Sequence, residues 1–131
     1  MLSRYNVVVP LTERQASIVT GTLLGDGSMR CKRNALLEIN HSHAQRSYVD
    51  WKYRELQSFV SSPPRKRDGN GGRIAYRFTT RSQPEFTPLY QLFYHGGKKV
   101  VYRIRIRVGS IEHFKALISD YVLPEFRYKI P

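Results

Sequence analysis

The sequence predicts an α+β fold in which helices alternate with the strands of an antiparallel sheet. Apolar residues recur at helical spacing in four segments, which begin near positions 12, 42, 85 and 111. Between them, several stretches alternate apolar and polar residues with the period of two that is typical of a strand buried on one face. We expect the chain, residues 1–131, to form a single domain with room for a hydrophobic core.

Charge is the strongest signal in the composition. Lysine and arginine number 22 against 10 acidic residues, which gives a net charge of +12. This excess favours nucleic acid as a partner over two alternatives, a merely soluble basic protein and a protein that lies on anionic lipid. The single cysteine, Cys31, excludes an internal disulfide and fits an intracellular compartment, cytoplasmic or organellar. We expect no membrane partner and no signal peptide, because every apolar run is short.

The first predicted helix ends on an acid. Thr12 is placed to cap this helix, and Gln15 completes a capping box. Asp26 falls at the C-terminal end, where the helix macrodipole disfavours a carboxylate. A divalent metal ion would offset that cost best. The alternative interpretation is an ordinary Asp-Gly turn, in which Gly27 lets the chain leave the helix.

Two glycines share one face of the same helix. Gly21 and Gly25 each cost the helix about 1 kcal/mol relative to alanine. Such a cost indicates that another backbone approaches closely, and a second helix can press against a Gly-x-x-x-Gly face.

Several predicted strands carry basic residues on one face. Residues 28–32 and 35–40 predict a hairpin, and residues 73–81 and 102–108 alternate in the same way. Because arginine forks suit guanine edges and phosphates, three basic strand faces in a small domain indicate a DNA-binding sheet. The strand residues expected to contact DNA are Arg30, Lys32, Arg73, Arg77, Arg81, Arg103, Arg105 and Arg107.

Three further helices are predicted. The second spans His41–Ser62 with Ser42 as its cap, and the third spans about Glu85–Tyr94. The fourth spans about Ile111–Tyr121, with Ser110 as its cap. We expect the fourth helix to bury Phe114, Leu117 and Ile118.

Residues 61–72 predict a mobile loop, because proline, glycine and charge dominate them. The loop carries Arg65, Lys66 and Arg67, which either contact phosphate or form a solvated charge run. Two histidines, His41 and His43, alternate before the second helix. Their spacing is poor for a metal site without further ligands, so we favour contacts to phosphate or water, or no role.

Three segments resemble the LAGLIDADG homing endonuclease family. VTGTLLGDG, residues 19–27, resembles the motif that names the family, with both helix glycines, the last acid and the final glycine in place. HSHAQRSYVDWKYRELQSF, residues 41–59, resembles the segment in which a Ser-x-x-Gln pair starts a helix and a Trp-Lys follows. FTPLYQLFYHGGKKVV, residues 86–101, resembles the region that brings a lysine to the scissile phosphate.

The resemblance implies an αββαββ core with a curved antiparallel sheet and an extra C-terminal strand and helix. It also implies a site-specific DNA endonuclease that uses Mg²⁺ to make double-strand breaks in a long, roughly palindromic target. Asp26 and Gly25 would hold the metal, Gln45 would order metal-bound water, and Lys98 or Lys99 would approach the scissile phosphate. From the residues alone, Gln45 is a capping residue and the two lysines are solvated.

The chain contains one motif helix. KKVV runs directly into YRIRIRVGSIEHFKALISDYVLPEFRYKI, which resembles the end of the second half of two-motif relatives. The chain therefore resembles a shortened, single-motif member. Such members form homodimers in which two motif helices pack together and each brings one acid. The residues implied at this interface are Ile18, Gly21, Thr22 and Gly25.

Two other classes of function stay open. One is a non-cleaving protein on the same scaffold, either an intron RNA maturase or a DNA-binding regulator, although the retained Asp26 argues against a degenerate site. The other is a basic RNA- or ribosome-associated domain whose aromatic residues stack on bases. The alternation places Tyr76, Phe78 and Tyr102 on the core face, so we rank this second class last. The lack of splicing-like sequence favours an intron over an intein as the host element.

Overall fold

The computed structural model describes residues 10–100 and 107–121. These residues belong to two units, one within residues 1–101 and one within residues 102–131. The first unit holds the α+β core, and the described part of the second holds one helix. Most of the predicted strand at 102–108, including Arg103 and Arg105, lies outside the described residues, as does the tail from residue 122.

The first helix, α1, spans Glu13–Leu24. Its capping box forms as predicted, because the Gln15 backbone N–H donates to Thr12 Oγ1 at 3.0 Å and the Thr12 N–H donates to Gln15 Oε1 at 3.1 Å. The helix is capped at its end by Gly25. The Gly27 N–H then donates to the Thr22 carbonyl at 2.9 Å, which turns the chain into the first strand.

The first unit contains a four-stranded antiparallel sheet. Its strands are β1 (Ser28–Cys31), β2 (Ala35–Ser42), β3 (Arg65–Asp68) and β4 (Ile74–Thr79), and they lie in the order β1-β2-β4-β3. β1 and β2 form the predicted hairpin, in which Ser28 lies opposite Glu38. β4 pairs with β2 on one side and with β3 on the other.

The segment predicted as a mobile loop contains strand β3. Its residues pair with β4, so that Arg65 lies opposite Arg77 and Asp68 lies opposite Ile74. All four residues of β3 are exposed. The prediction of a loop was wrong here because backbone pairing alone holds this strand, and an exposed edge strand leaves no alternation to detect. Charged residues are typical of such edges.

The second predicted helix is divided into shorter elements. His41 and Ser42 complete β2, and a 3-10 turn follows at His43–Gln45. Helix α2 spans Arg46–Glu55, and a second 3-10 turn spans Gln57–Phe59. The prediction of one continuous helix was therefore wrong at both ends. Pairing with β4 extends β2 through Ser42, which local helical spacing cannot reveal.

Two further helices were also predicted longer than they are. α3 spans Thr87–Phe93 and follows a 3-10 turn at Pro84–Phe86. α4, in the second unit, spans Ile111–Ile118, and Ser110 makes no side-chain capping hydrogen bond. No helix in the described parts of the chain is both long and apolar enough to cross a membrane.

The prediction that α4 buries its apolar side was wrong. Phe114 is 38% exposed and Leu117 is 59% exposed, while Ile118 is half-buried. An amphipathic pattern shows which side of a helix is apolar, but it does not show what covers that side.

The hydrophobic core of the first unit lies between its helices and one face of the sheet. Ala35, Leu37 and Ile39 of β2 are fully buried, and Val19 of α1 and Val49 of α2 join them. The intervening side chains of β2 point to the opposite face. We call this second face the open face. Its charged and amide members are Arg30, Glu38, Asn40, Arg65, Arg67 and Arg77.

The turn after α1 requires glycine at position 27. A Cβ atom there would lie 2.8 Å from the Thr22 carbonyl oxygen and would also overlap the Thr22 side chain. We predict that Gly27→Ala lowers the free energy of unfolding by about 2–3 kcal/mol in urea titrations.

Gly21→Ala is the matched control, because a Cβ at that position has no atom within 4 Å apart from its chain neighbours and the backbone of its own helix. It should be neutral or should stabilise the protomer by up to about 1 kcal/mol through helix propensity. Equal destabilisation by the two variants would contradict the steric explanation.

Candidate functional site

Asp26 lies on an exposed turn between α1 and β1. Gly25 and Gly27 flank it, and we call these three residues the Asp26 turn. Because α1 ends immediately before the turn, the carboxylate lies at the negative end of the helix macrodipole. The last turn of α1 contains no basic residue that could offset this charge. Any compensating cation has to come from elsewhere in the fold.

Lys99 supplies a positive charge at the Asp26 turn. Its Nζ donates to the Gly25 carbonyl at 2.9 Å and to the Gly27 carbonyl as well. Partial burial lowers the pKa of Lys99, and the negative charge of Asp26 opposes that shift. Lys98, the other lysine considered from the sequence, is exposed. The structure therefore brings Lys99 to the Asp26 turn and leaves Lys98 in solvent.

A small hairpin places Lys99. Its strands, β5 (Tyr94–His95) and β6 (Lys98–Lys99), pair around two glycines that both have positive φ, as a tight two-residue turn requires. Tyr94 lies opposite Lys99, and its hydroxyl accepts a hydrogen bond from the Met29 N–H at 2.9 Å. This bond anchors the Lys99 side of the hairpin beside β1, which begins directly after the Asp26 turn.

A buried lysine lies in the electrostatic field of Asp26. Lys52 of α2 is 3% exposed, and its Nζ lies 4.1 Å from the centre of the Tyr48 ring. Burial lowers the pKa of Lys52 to about 8, and the charge of Asp26 opposes this shift. Burial raises the pKa of Tyr48, and Asp26 adds to that effect. Asp26 therefore interacts with Lys99, Lys52 and Tyr48.

The sequence interpretation missed Lys52, although a signal for it was present. Lys52 follows Val49 by three residues and precedes Leu56 by four, and both of these residues are fully buried. A lysine within the apolar stripe of a helix is uncommon, because a buried charge is costly without a partner. That position identifies Lys52 as a residue that needs a specific electrostatic environment.

Gln45 lies directly before α2 and three residues before Tyr48. Its side chain makes no capping hydrogen bond, so the interpretation of Gln45 as a capping residue was wrong. Ser42 is the residue that caps this region, because its Oγ accepts from the Ala44 N–H at 3.4 Å. The amide of Gln45 is thus not used to cap the start of α2. Its role in ordering water stays a prediction.

The two histidines before α2 contact aromatic rings. The His41 ring lies 5.4 Å from that of Tyr48, and the His43 ring lies 5.6 Å from that of Tyr76. Among the residues that the structure describes, no three histidine, cysteine or acidic side chains come together as a metal site.

One protomer offers only part of a ligand set for a metal ion. The Asp26 carboxylate and the Gly25 and Gly27 carbonyls are oxygen donors, which Mg²⁺ prefers. The Lys99 ammonium group, which donates to both carbonyls, is a cation already held at this turn. These donors fit a hard divalent cation if Lys99 shares or gives up the Gly25 carbonyl, and the remaining ligands have to come from outside the protomer.

The predicted DNA-binding residues do not all lie on the open face. Arg30, Arg65, Arg67 and Arg77 share it, whereas Lys66 points to the other side of β3. Lys32 lies just after β1, Arg73 just before β4, and the exposed Arg107 belongs to the second unit.

Arg81 is engaged within the protomer. Its guanidinium donates to the Ser58 carbonyl at 2.6 Å and to Ser61 Oγ at 3.4 Å. Its placement on the basic strand face was wrong, because β4 ends at Thr79 and the chain turns toward the segment after α2.

The glycine face of α1 is open to solvent. Gly21 and Gly25 are exposed, and Ile18 is half-buried. Thr22 is 3% exposed, because it packs inward beneath Gly27. Thr22 is therefore buried within the protomer, whereas the other three residues are accessible to a partner, and the interface stays a prediction.

This fold combines a basic open face with an acid at the end of its first helix. The LAGLIDADG DNA endonuclease family matches residues 16–108, and the chain belongs to this family. The family predicted from the sequence is thereby confirmed.

Two further comparisons give proteins to which the chain is similar. The protein RecA of Mycobacterium gastri is 32% identical over 97 residues, which cover 70% of this chain and 20% of that protein. The chain thus spans about one fifth of that relative's length. Among solved structures, the homing endonuclease I-WcaI bound to its DNA recognition sequence matches with a TM-score of 0.75 at 18% identity, over 94% of this chain and 88% of that chain. This likeness confirms the predicted fold class.

Lys52 makes stability depend on pH. Its pKa is about 8 in the folded protein, against an ordinary value of 10.5. Between these two pH values, the unfolded chain therefore binds more protons than the folded chain. Stability should therefore rise with pH across this interval, and the buried charge should be most costly below pH 8. We predict that Lys52→Met raises the free energy of unfolding at pH 7 by roughly 2 kcal/mol, and that this gain shrinks toward pH 10.

Urea unfolding at pH 7, 8.5 and 10 measures this effect. Lys98→Met serves as the control, because it removes an exposed lysine of the same length. A Lys52→Met protein that is equally destabilised at all three pH values would contradict both the lowered pKa of Lys52 and the cost of its buried charge.

Proposed function

We propose that this chain is a homodimeric, site-specific DNA endonuclease that makes metal-dependent double-strand breaks in a long, roughly palindromic target. The Asp26 turn carries this proposal, because it places a carboxylate, two carbonyl oxygens and the Lys99 ammonium group at the end of the motif helix. Membership of the LAGLIDADG DNA endonuclease family supports a nuclease. The structural neighbour is bound to its DNA recognition sequence, which supports DNA as the partner.

The residues of the Asp26 turn have distinct roles in this proposal. Asp26 and the Gly25 carbonyl would hold Mg²⁺. The bound ion would polarise the phosphate and lower the pKa of the attacking water. Gln45 orients the water, since its amide is not used as a helix cap. Lys99 stabilises negative charge on the phosphate, because its ammonium group is already fixed beside the turn.

A second copy of the chain completes the site. Cleavage of a duplex breaks two phosphodiester bonds, and each chain contributes one Asp26. Ile18, Gly21 and Gly25 form the surface that we propose for contact between the two motif helices. Outside its own helix, no atom of the described chain lies within 4 Å of a Cβ added to Gly21, and this space lets another backbone approach closely.

The open face binds the target in this proposal. A twisted antiparallel sheet can lie along the major groove, where arginine forks contact guanine edges and phosphates. Four arginines of the open face are available for such contacts, namely Arg30, Arg65, Arg67 and Arg77.

Cleavage selection from a randomised duplex library tests the proposed function. The wild type and Asp26→Asn are compared with Mg²⁺ and with EDTA. We predict metal-dependent enrichment of one long site by the wild type.

The Asp26→Asn variant should cleave this site at least about 10³-fold more slowly than the wild type, because asparagine keeps the shape of the side chain but removes its charge. DNA affinity should change by less than about threefold, since Asp26 is not on the open face.

Two outcomes would contradict this mechanism. An equal loss of binding and cleavage in Asp26→Asn would contradict the metal-ligand role. A strictly monomeric particle on DNA, measured by sedimentation, would contradict the two-acid site. Retention of one DNA or RNA sequence without cleavage by the wild type would instead favour a regulator or an intron maturase.

The two neighbouring lysines provide a matched test of the phosphate contact. We predict that Lys99→Met lowers the single-turnover cleavage rate of the selected target by about 10²- to 10³-fold, the usual cost of removing one donor to a developing charge. Lys98→Met should lower the rate by less than about threefold, because its side chain is exposed and Lys99 keeps its contacts. The reverse order of effects would assign the role to Lys98.

A further inference from the structure

We propose that Glu38 is a specificity-determining residue of the open face, because it holds two arginines in fixed positions for contacts to bases. This inference rests on the DNA-binding part of the proposed function and does not depend on cleavage. Glu38 acts through the arginines, so it is a positioning residue.

Glu38 is placed between two arginines that come from different strands. It lies on β2, which pairs with β1 on one side and with β4 on the other. Arg30 Nε lies 3.7 Å from Glu38 Oε2, and Arg77 Nη1 lies 3.6 Å from Glu38 Oε1. The two oxygens of one carboxylate are thus divided between two guanidinium groups.

The strand register fixes this arrangement. Arg30 lies opposite Leu36, and Arg77 lies opposite Asn40. Leu36 and Asn40 are the residues two positions before and after Glu38, so each arginine is a diagonal neighbour of Glu38 on the same face. Diagonal neighbours in an antiparallel sheet lie within reach of long side chains. The hydrogen-bonded ladders on both sides of β2 therefore hold the three side chains together.

A like-charge contact favours the same arrangement. Arg77 also lies opposite Arg65 of β3, and like charges directly opposite each other are destabilising. This repulsion favours the conformer in which Arg77 turns toward Glu38. Arg65 and Arg67 form no ion pair with any other described residue. The open face thus carries two arginines that are ion-paired with Glu38, and two that lack an acidic partner among the described residues.

An acidic residue at position 38, on a surface proposed to bind DNA, needs a physical explanation. An exposed ion pair contributes little to stability, and a negative charge on a DNA-binding surface weakens attraction to phosphate. The side chain of Glu38 is 23% exposed, against 69% for Arg30, so the carboxylate is the more buried member of this ion pair. A guanidinium has five N–H donors, and those not turned toward Glu38 remain free for a guanine edge. Fixing their direction in advance favours the matching base over the others.

A binding selection in EDTA tests this proposal without cleavage. Wild type, Glu38→Gln, Arg30→Ala and Arg77→Ala are each used to enrich duplexes from a randomised library, and the arginine variants identify the positions that each arginine reads. We predict that Glu38→Gln lowers the base preference at those positions by about five- to tenfold. Its affinity for random DNA at low salt should rise by about two- to fivefold, because a negative charge is lost.

Glu55→Gln is the matched control. It also removes a carboxylate paired with an arginine, since Glu55 Oε2 lies 2.7 Å from Arg14 Nε, but this pair joins α1 to α2. Its base preferences should equal those of the wild type. Glu38→Asp is the second variant, because it keeps the charge and withdraws the carboxylate by one methylene. It should lose base preference without gaining affinity for random DNA.

Three outcomes would overturn the proposal. Unchanged base preferences in Glu38→Gln would show that the acid is only solvated. A switch of the preferred base at a position that neither arginine reads would show that Glu38 contacts a base directly. A wild type that enriches no sequence would overturn this proposal together with site-specific recognition. A wild type that enriches a site but never cleaves it would contradict only the nuclease.

Discussion

The close approach of Gly27 to Thr22 is the contact on which the rest of the site depends. The Gly27 N–H donates to the Thr22 carbonyl, and the space for a Cβ is filled by Thr22 itself. This packing ends α1 and starts β1 within a few residues, so Asp26 between them is forced to the surface. It also directs the carbonyls of Gly25 and Gly27 toward Lys99. A bulkier turn would separate the acid from its lysine.

The same turn concentrates negative charge, and the fold compensates for it in two ways. Lys99 reaches the turn from a hairpin and is held by hydrogen bonds, which costs little because its ammonium group stays partly in solvent. Lys52 is buried within the first unit, and its lowered pKa shows that a charge is costly at this buried position. Both cations lie in the field of an acid that a helix end would otherwise disfavour.

The sequence predicts best those features that depend on neighbouring residues. The capping box of α1 and the first hairpin both follow from local spacing, and the structure shows both of them. Pairing between distant segments determines the rest. β3 is a strand only because β4 lies beside it, and β4 also extends β2 through Ser42. For the same reason, only the pairing of Tyr94 with Lys99 distinguishes Lys99 from Lys98.

One short strand, β1, connects the Asp26 turn to the arginines of the open face. β1 begins two residues after Asp26 and carries Arg30 on the open face, so few backbone torsions separate the acid from that arginine. Pairing with β2 makes this connection rigid, and Glu38 on β2 holds Arg30 from the other side. In the proposed nuclease, the base pairs that Arg30 and Arg77 contact would therefore determine which phosphate lies at Asp26. The position of cleavage would then follow from sheet register, because a shift by one residue would turn every side chain of β1 to the opposite face.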